Sequence, residues 1–88
     1  MTALLIKSGG EKVNITPENG VFFSLKELQN YVGGYIEMLL TNDDRTMIVN
    51  EEGKLKSFEI NNEATKLIKE KVIVGDVVVC DWSMIQGR

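Results

Sequence analysis

Carboxylates stand in pairs at Asp43-Asp44 and Glu51-Glu52, and a carboxylate pair can exchange protons or hold a hard cation. Such work needs burial or a nearby charge to move one pKa. Both pairs fall in turn-forming sequence, where adjacent side chains point apart into water, so the expectation is solvated turn residues. Glycines cluster at Ser8-Gly9-Gly10 and Gly33-Gly34, and glycine loops can bring backbone amides against phosphate. Neither has phosphate-loop or dinucleotide spacing. Gly33-Gly34 closes a helical segment, where the helix dipole is negative and repels phosphate. Two helix starts, Ser24-Leu25-Lys26 and Asn61-Asn62 with Lys66, offer free amides beside a cation. Tyr31 and Tyr35 flank the double glycine, so a base could stack on tyrosine while Arg45 or Lys54 meets a phosphate. Tyr35, Arg45, Lys54 and Lys66 are therefore the candidate ligand-binding residues, with no catalytic and no metal-binding residue assigned.

Composition narrows the chemistry. The chain has 88 residues and no histidine, which removes the commonest metal ligand and the side chain that ordinarily titrates near neutrality. A histidine-based triad is excluded, and the expectation is a non-enzymatic protein without metal or cofactor. Cys80 is the sole cysteine and sits behind Val77-Val78-Val79, which reads as a buried, inert thiol. A net charge of −3 argues against a dedicated DNA-binding module. Lys54, Lys56, Lys66, Lys69 and Lys71 are accompanied by Glu51, Glu52, Glu59, Glu63 and Glu70, giving a mixed, solvated surface. Apolar runs are too short for a membrane span, and Met1 to Lys7 lacks the pattern of a signal peptide, so a cytosolic location is expected. A chain this short buries little surface, and a homo-oligomer would help it.

The elements that must position these residues are read from local signals. Ser24 caps a helix with Glu27 as reciprocal partner, and Phe23 staples onto Leu28. Leu25, Leu28 and Val32 form its buried face, and Gly33 takes the left-handed position after it. Before it, Thr2 to Lys7 and Lys12 to Thr16 pair as a hairpin, followed by the turn Pro17-Glu18-Asn19-Gly20. After it, strand Tyr35 to Thr41, turn Asn42-Asp43-Asp44-Arg45 and strand Met47 to Asn50 form a second hairpin. Glu51-Glu52-Gly53-Lys54 is a turn with Gly53 at positive φ, and Leu55 to Phe58 continues the meander. A second helix, capped by Asn61 or Asn62, buries Ala64, Leu67 and Ile68 and ends in Lys69-Glu70-Lys71. Val72-Ile73-Val74, a Gly75-Asp76 turn and the interior strand Val77 to Trp82 finish the chain. The six aromatic residues are mostly core anchors. The result is a single α+β domain over 1–88, with a mostly antiparallel sheet and two short helices.

Val32-Gly33-Gly34-Tyr35-Ile36-Glu37, Val49-Asn50-Glu51-Glu52-Gly53-Lys54-Leu55, Asn61-x-x-Ala64-Thr65 and Ile73-Val74-Gly75-Asp76-Val77-Val78-Val79 occur in this order. On these residues the chain resembles domain of unknown function 3846, over nearly its whole length. The resemblance implies a phage, plasmid or gut-bacterial origin and life in a bacterial cytosol. It implies no activity. Two functional expectations follow. One is an oligomeric sponge that sequesters a cyclic nucleotide-type or ADP-ribose-type signal and so counters host defence, with Tyr35, Arg45, Lys54 and Lys66 as contacts. The other is an adaptor or inhibitor that presents a sheet edge or acidic face to a host protein. A hydrolase of the same signals is the weakest reading, since it would have only carboxylates and lysines to work with.

Overall fold

The computed structural model describes residues 3–69 and 71–85. Its strands are β1 (Ala3–Ile6), β2 (Lys12–Ile15), β3 (Ile36–Leu40), β4 (Thr46–Asn50) and β5 (Val77–Cys80). Its helices are α1 (Leu25–Val32) and α2 (Asn62–Ile68), with a 3-10 turn at Trp82–Met84. The strands form one antiparallel sheet in the order β2-β1-β5-β4-β3. Both hairpins pair as the sequence implies, and the valine-rich β5 is the centre of the sheet. All its residues are buried, because a strand with neighbours on both edges and a helix over each face has no exposed side.

Side-chain alternation divides the core into two layers. Leu5, Ile48, Val78 and Cys80 face α1 and pack with Phe23, Leu28 and Val32. Ile6, Met47, Val77 and Val79 face the other way, against Ala64 and Ile68 of α2. The start of α1 is a complete capping box, with the Glu27 N–H donating to Ser24 Oγ at 3.2 Å and the Ser24 N–H to Glu27 Oε1 at 3.0 Å. Gly33 ends it at φ 84°, and the N–H groups of Gly33 and Gly34 both donate to the Gln29 carbonyl.

Asn61 is the cap of α2, and more. Fully buried, it accepts from the Ala64 N–H and donates through Nδ2 to the carbonyls of Ile6 and Gly75 at 2.9 and 2.8 Å. One side chain thus ties β1, α2 and the loop before β5.

Several local expectations are corrected. Leu25 is 55% exposed, because the first turn of α1 overhangs the sheet and burial begins at Leu28. Residues 51–57 form turns rather than a continued meander, and 72–74 contribute only the isolated bridge Ile60↔Val74. Gly53 does not take a positive φ; glycine is needed there because a Cβ would lie 2.9 Å from Val74 Cγ2. Of the aromatics only Phe23 is fully buried, while Tyr35 and Trp82 stand largely in solvent. Thr2 and Glu70, assigned above to a strand and a helix end, lie outside the described residues.

Candidate functional site

Two surfaces are candidates for a site, and both begin at the C-terminal end of α1. The first is β3, an outer strand. The Glu51 N–H donates to the Tyr35 carbonyl at 2.8 Å, and the Thr41 N–H to the Arg45 carbonyl at 2.9 Å. Antiparallel pairing alternates, so odd-numbered residues from 35 to 41 turn their main chain toward β4. Ile36, Met38 and Leu40 therefore turn their N–H and C=O groups to the open side. Their side chains share the α1 face of the sheet: Ile36 packs on the core, but Met38 is 43% and Leu40 70% exposed. Glu37 is the sole charge on the strand, and Lys71 stands 3.8 Å from it. The opposite edge differs in kind. On β2, Lys12 and Asn14 are exposed, and Lys12 pairs with Glu63 at 3.2 Å, so that edge is polar and guarded.

The second surface is a groove around the end of α1. Its inner part, about 280 Å³, lies between Asn30, Tyr31 and Gly33 on one side and Phe58, Glu59 and Asp76 on the other. Asp76 Oδ1 accepts the Ser8 N–H at 3.0 Å, which fixes the carboxylate at the rim. The groove continues past Asn30 and Gly33 into an outer part of about 360 Å³ that includes Tyr35, Glu52 and Lys56.

The residues expected to hold a ligand do not meet within one chain. Tyr35, two-thirds exposed, lies in the outer groove. Lys54 belongs to a separate depression of about 140 Å³ beside Lys71. Arg45 is at the tip of the β3–β4 hairpin, with its Nε 2.9 Å from Asp43 Oδ2; β3 separates it from Tyr35 by roughly 17 Å at ordinary strand rise. Lys66, on α2, is bound to Glu63 at 2.8 Å. Asp76, Glu59 and Phe58 carry no site signal in the sequence, where they read as turn, solvated surface and core. Gly75-Asp76 reads as an ordinary turn, and nothing local brings it to residues 58–59.

The first acidic pair has structural work, and the second is solvated. The Thr41 hydroxyl and the Arg45 guanidinium hold the Asp43 carboxyl below its usual range. Asp44 adopts φ 65° in the turn, and Glu51 and Glu52 are exposed. Lys66 and Lys12 depress Glu63 in the same way. Burial, with the charge of Asp81, pushes the Cys80 thiol up to about 11. Among the described residues no group of three or more His, Cys, Asp or Glu side chains could hold a metal ion. No helix among them is long and apolar enough to cross a membrane.

A five-stranded antiparallel sheet with two helices, an open apolar edge and a shallow groove defines a small α+β domain. The chain belongs to the family described as domain of unknown function DUF3846, whose model matches residues 1–87. No curated protein and no solved structure gives a significant match.

Proposed function

We propose that this is a non-enzymatic binding protein that captures an extended segment of another protein as a sixth strand beside β3. The mobile-element origin and cytosolic setting implied by the sequence belong to the same reading. One observation carries it: β3 presents main-chain groups of Ile36, Met38 and Leu40 that are unpaired among the described residues, with two exposed apolar side chains and a single charge. Proteins ordinarily blunt such an edge with lysine, proline or a bulge, as β2 is blunted here. An added strand would gain main-chain hydrogen bonds from the edge, while Met38 and Leu40 would select apolar side chains at alternate positions. Sequestration of a nucleotide-type signal finds less support, since Tyr35, Arg45, Lys54 and Lys66 occupy separate places on the protomer.

Substitution Met38→Pro tests the proposal, because it removes an N–H that faces the open side and leaves the ladder to β4 intact. A displayed random peptide library panned on the wild type should yield extended segments with alternating apolar residues, and these should not bind Met38→Pro or Leu40→Lys. Peptides bound equally well by all three proteins would refute strand addition. A wild-type dimer converted to monomer by either variant would reassign β3 to a second copy of the chain.

A further inference from the structure

We infer that the inner groove at the end of α1 binds a small organic cation, a molecule carrying an ammonium or guanidinium group. The groove is acceptor-rich: among the described residues Glu59 and Asp76 are its charged ones, and neither lysine nor arginine lines it. One oxygen of Asp76 takes the Ser8 N–H, and the other accepts nothing among the described residues. The end of α1 adds to the same field. Because Gly33 and Gly34 both donate to Gln29, the carbonyls of Asn30 and Tyr31 accept no hydrogen bond among the described residues. The last turn of α1 has no basic residue of its own, and the cation beside its end, Lys56, lies by Gly34 in the outer part of the groove.

The walls suit such a guest. Phe58 rests on the backbone of Gly75, where a Cβ would come within 2.7 Å of Phe58 Cδ2, and the far edge of the ring is 3.9 Å from the corresponding point on Gly33. Tyr31 is held by an edge-on contact with Phe23, ring centres 6.4 Å apart. Two aromatic side chains and two carboxylates line the same space, a combination that suits a cation through ring contact and charge-assisted hydrogen bonds. At about 280 Å³ the space is at the small end for a ligand site, enough for one cationic head on a short chain. An anionic ligand in the inner part would meet the carboxylates of Glu59 and Asp76.

This site is independent of strand addition, and Met38→Pro should leave it intact. The test is a titration of the whole chain with agmatine and choline, followed by backbone amide NMR, with AMP and the neutral pentanol as controls. Agmatine or choline should give saturable shifts at Gly33, Glu59 and Asp76 that weaken as salt is raised, and pentanol and AMP should not. The double substitution Asp76→Asn with Glu59→Gln keeps an acceptor for the Ser8 N–H and should weaken cation binding by about tenfold or more without changing the melting temperature appreciably. Overturning results would be AMP binding at these amides, cation binding unaltered by the double substitution, or no saturable shift with either cation.

Discussion

At the scale of single residues, Asn61 and Cys80 are determined by what surrounds them. Asn61 is a polar side chain with no exposure, tolerated because each of its polar atoms is used, two hydrogen bonds from Nδ2 and one to Oδ1. Asn61→Ala removes a cap, leaves the Gly75 carbonyl without its donor and the Ile6 carbonyl with only its strand partner Val77, so urea unfolding should show a loss of about 3 kcal/mol. Asn61→Asp should cost more near neutral pH, since it sets an oxygen and a buried charge against those two carbonyls. If the aspartate variant were the more stable of the two, this account of Asn61 would fail. Cys80 presents the opposite case, an apolar site whose thiol is held neutral by burial and the charge of Asp81. With its folded pKa raised to about 11 from 9.0, the stability it contributes is full below pH 9 and is lost as pH rises toward 11. Ellman's reagent at pH 8 should therefore label the native protein only as fast as it unfolds, and rapidly in denaturant.

At the scale of elements, α1 was legible because everything that begins and ends it lies within a dozen residues. Ser24, Glu27, Phe23 and Gly33 each declare themselves locally, and each is found in the role expected. Burial at the cap opposes ionisation of Glu27, but the N–H groups of Ser24 and Glu18 and the Ser24 hydroxyl outweigh it, holding the carboxyl below its usual value. A depressed carboxyl stabilises above its unfolded pKa and ceases to as pH falls through the folded one. Glu27→Gln should therefore melt below the wild type at pH 7, with the gap closing as the solution is acidified through the carboxylate range. Ser24→Ala should cost about 1 kcal/mol in the same melts. Residues 51–58 read as a strand from their apolar residues, Leu55 and Phe58, but β4 is already paired on both edges and the chain turns away after Asn50. Phe58 instead packs over Gly53 and Gly75; Gly53 needs to be glycine because of where Val74 lies, and Gly75 both because of Phe58 and because its φ is 76°.

At the scale of the whole molecule, alternation revealed an antiparallel sheet but not its order. The pairing of β1 with β5 joins the two ends of the chain, and no local signal declares it. The groove depends on the same non-local step, since the Ile60↔Val74 bridge and Asn61 bring residues 58–59 and 75–76 together beside α1. Central position also dictates how the molecule opens. β5 is hydrogen-bonded on both sides and contributes to both core layers, so its loss exposes the entire interior. Amides of Val78 and Val79 should then exchange with solvent only through global unfolding, while residues 51–57 exchange through local opening. β3 supplies an internal comparison. The Glu37 and Leu39 N–H groups face β4 and should be protected, whereas those of Met38 and Leu40 face the open side and should exchange fast. Slow exchange at Met38 that becomes fast on dilution would mean a second copy already covers the edge. Slow exchange independent of concentration would contradict the open edge on which strand addition depends.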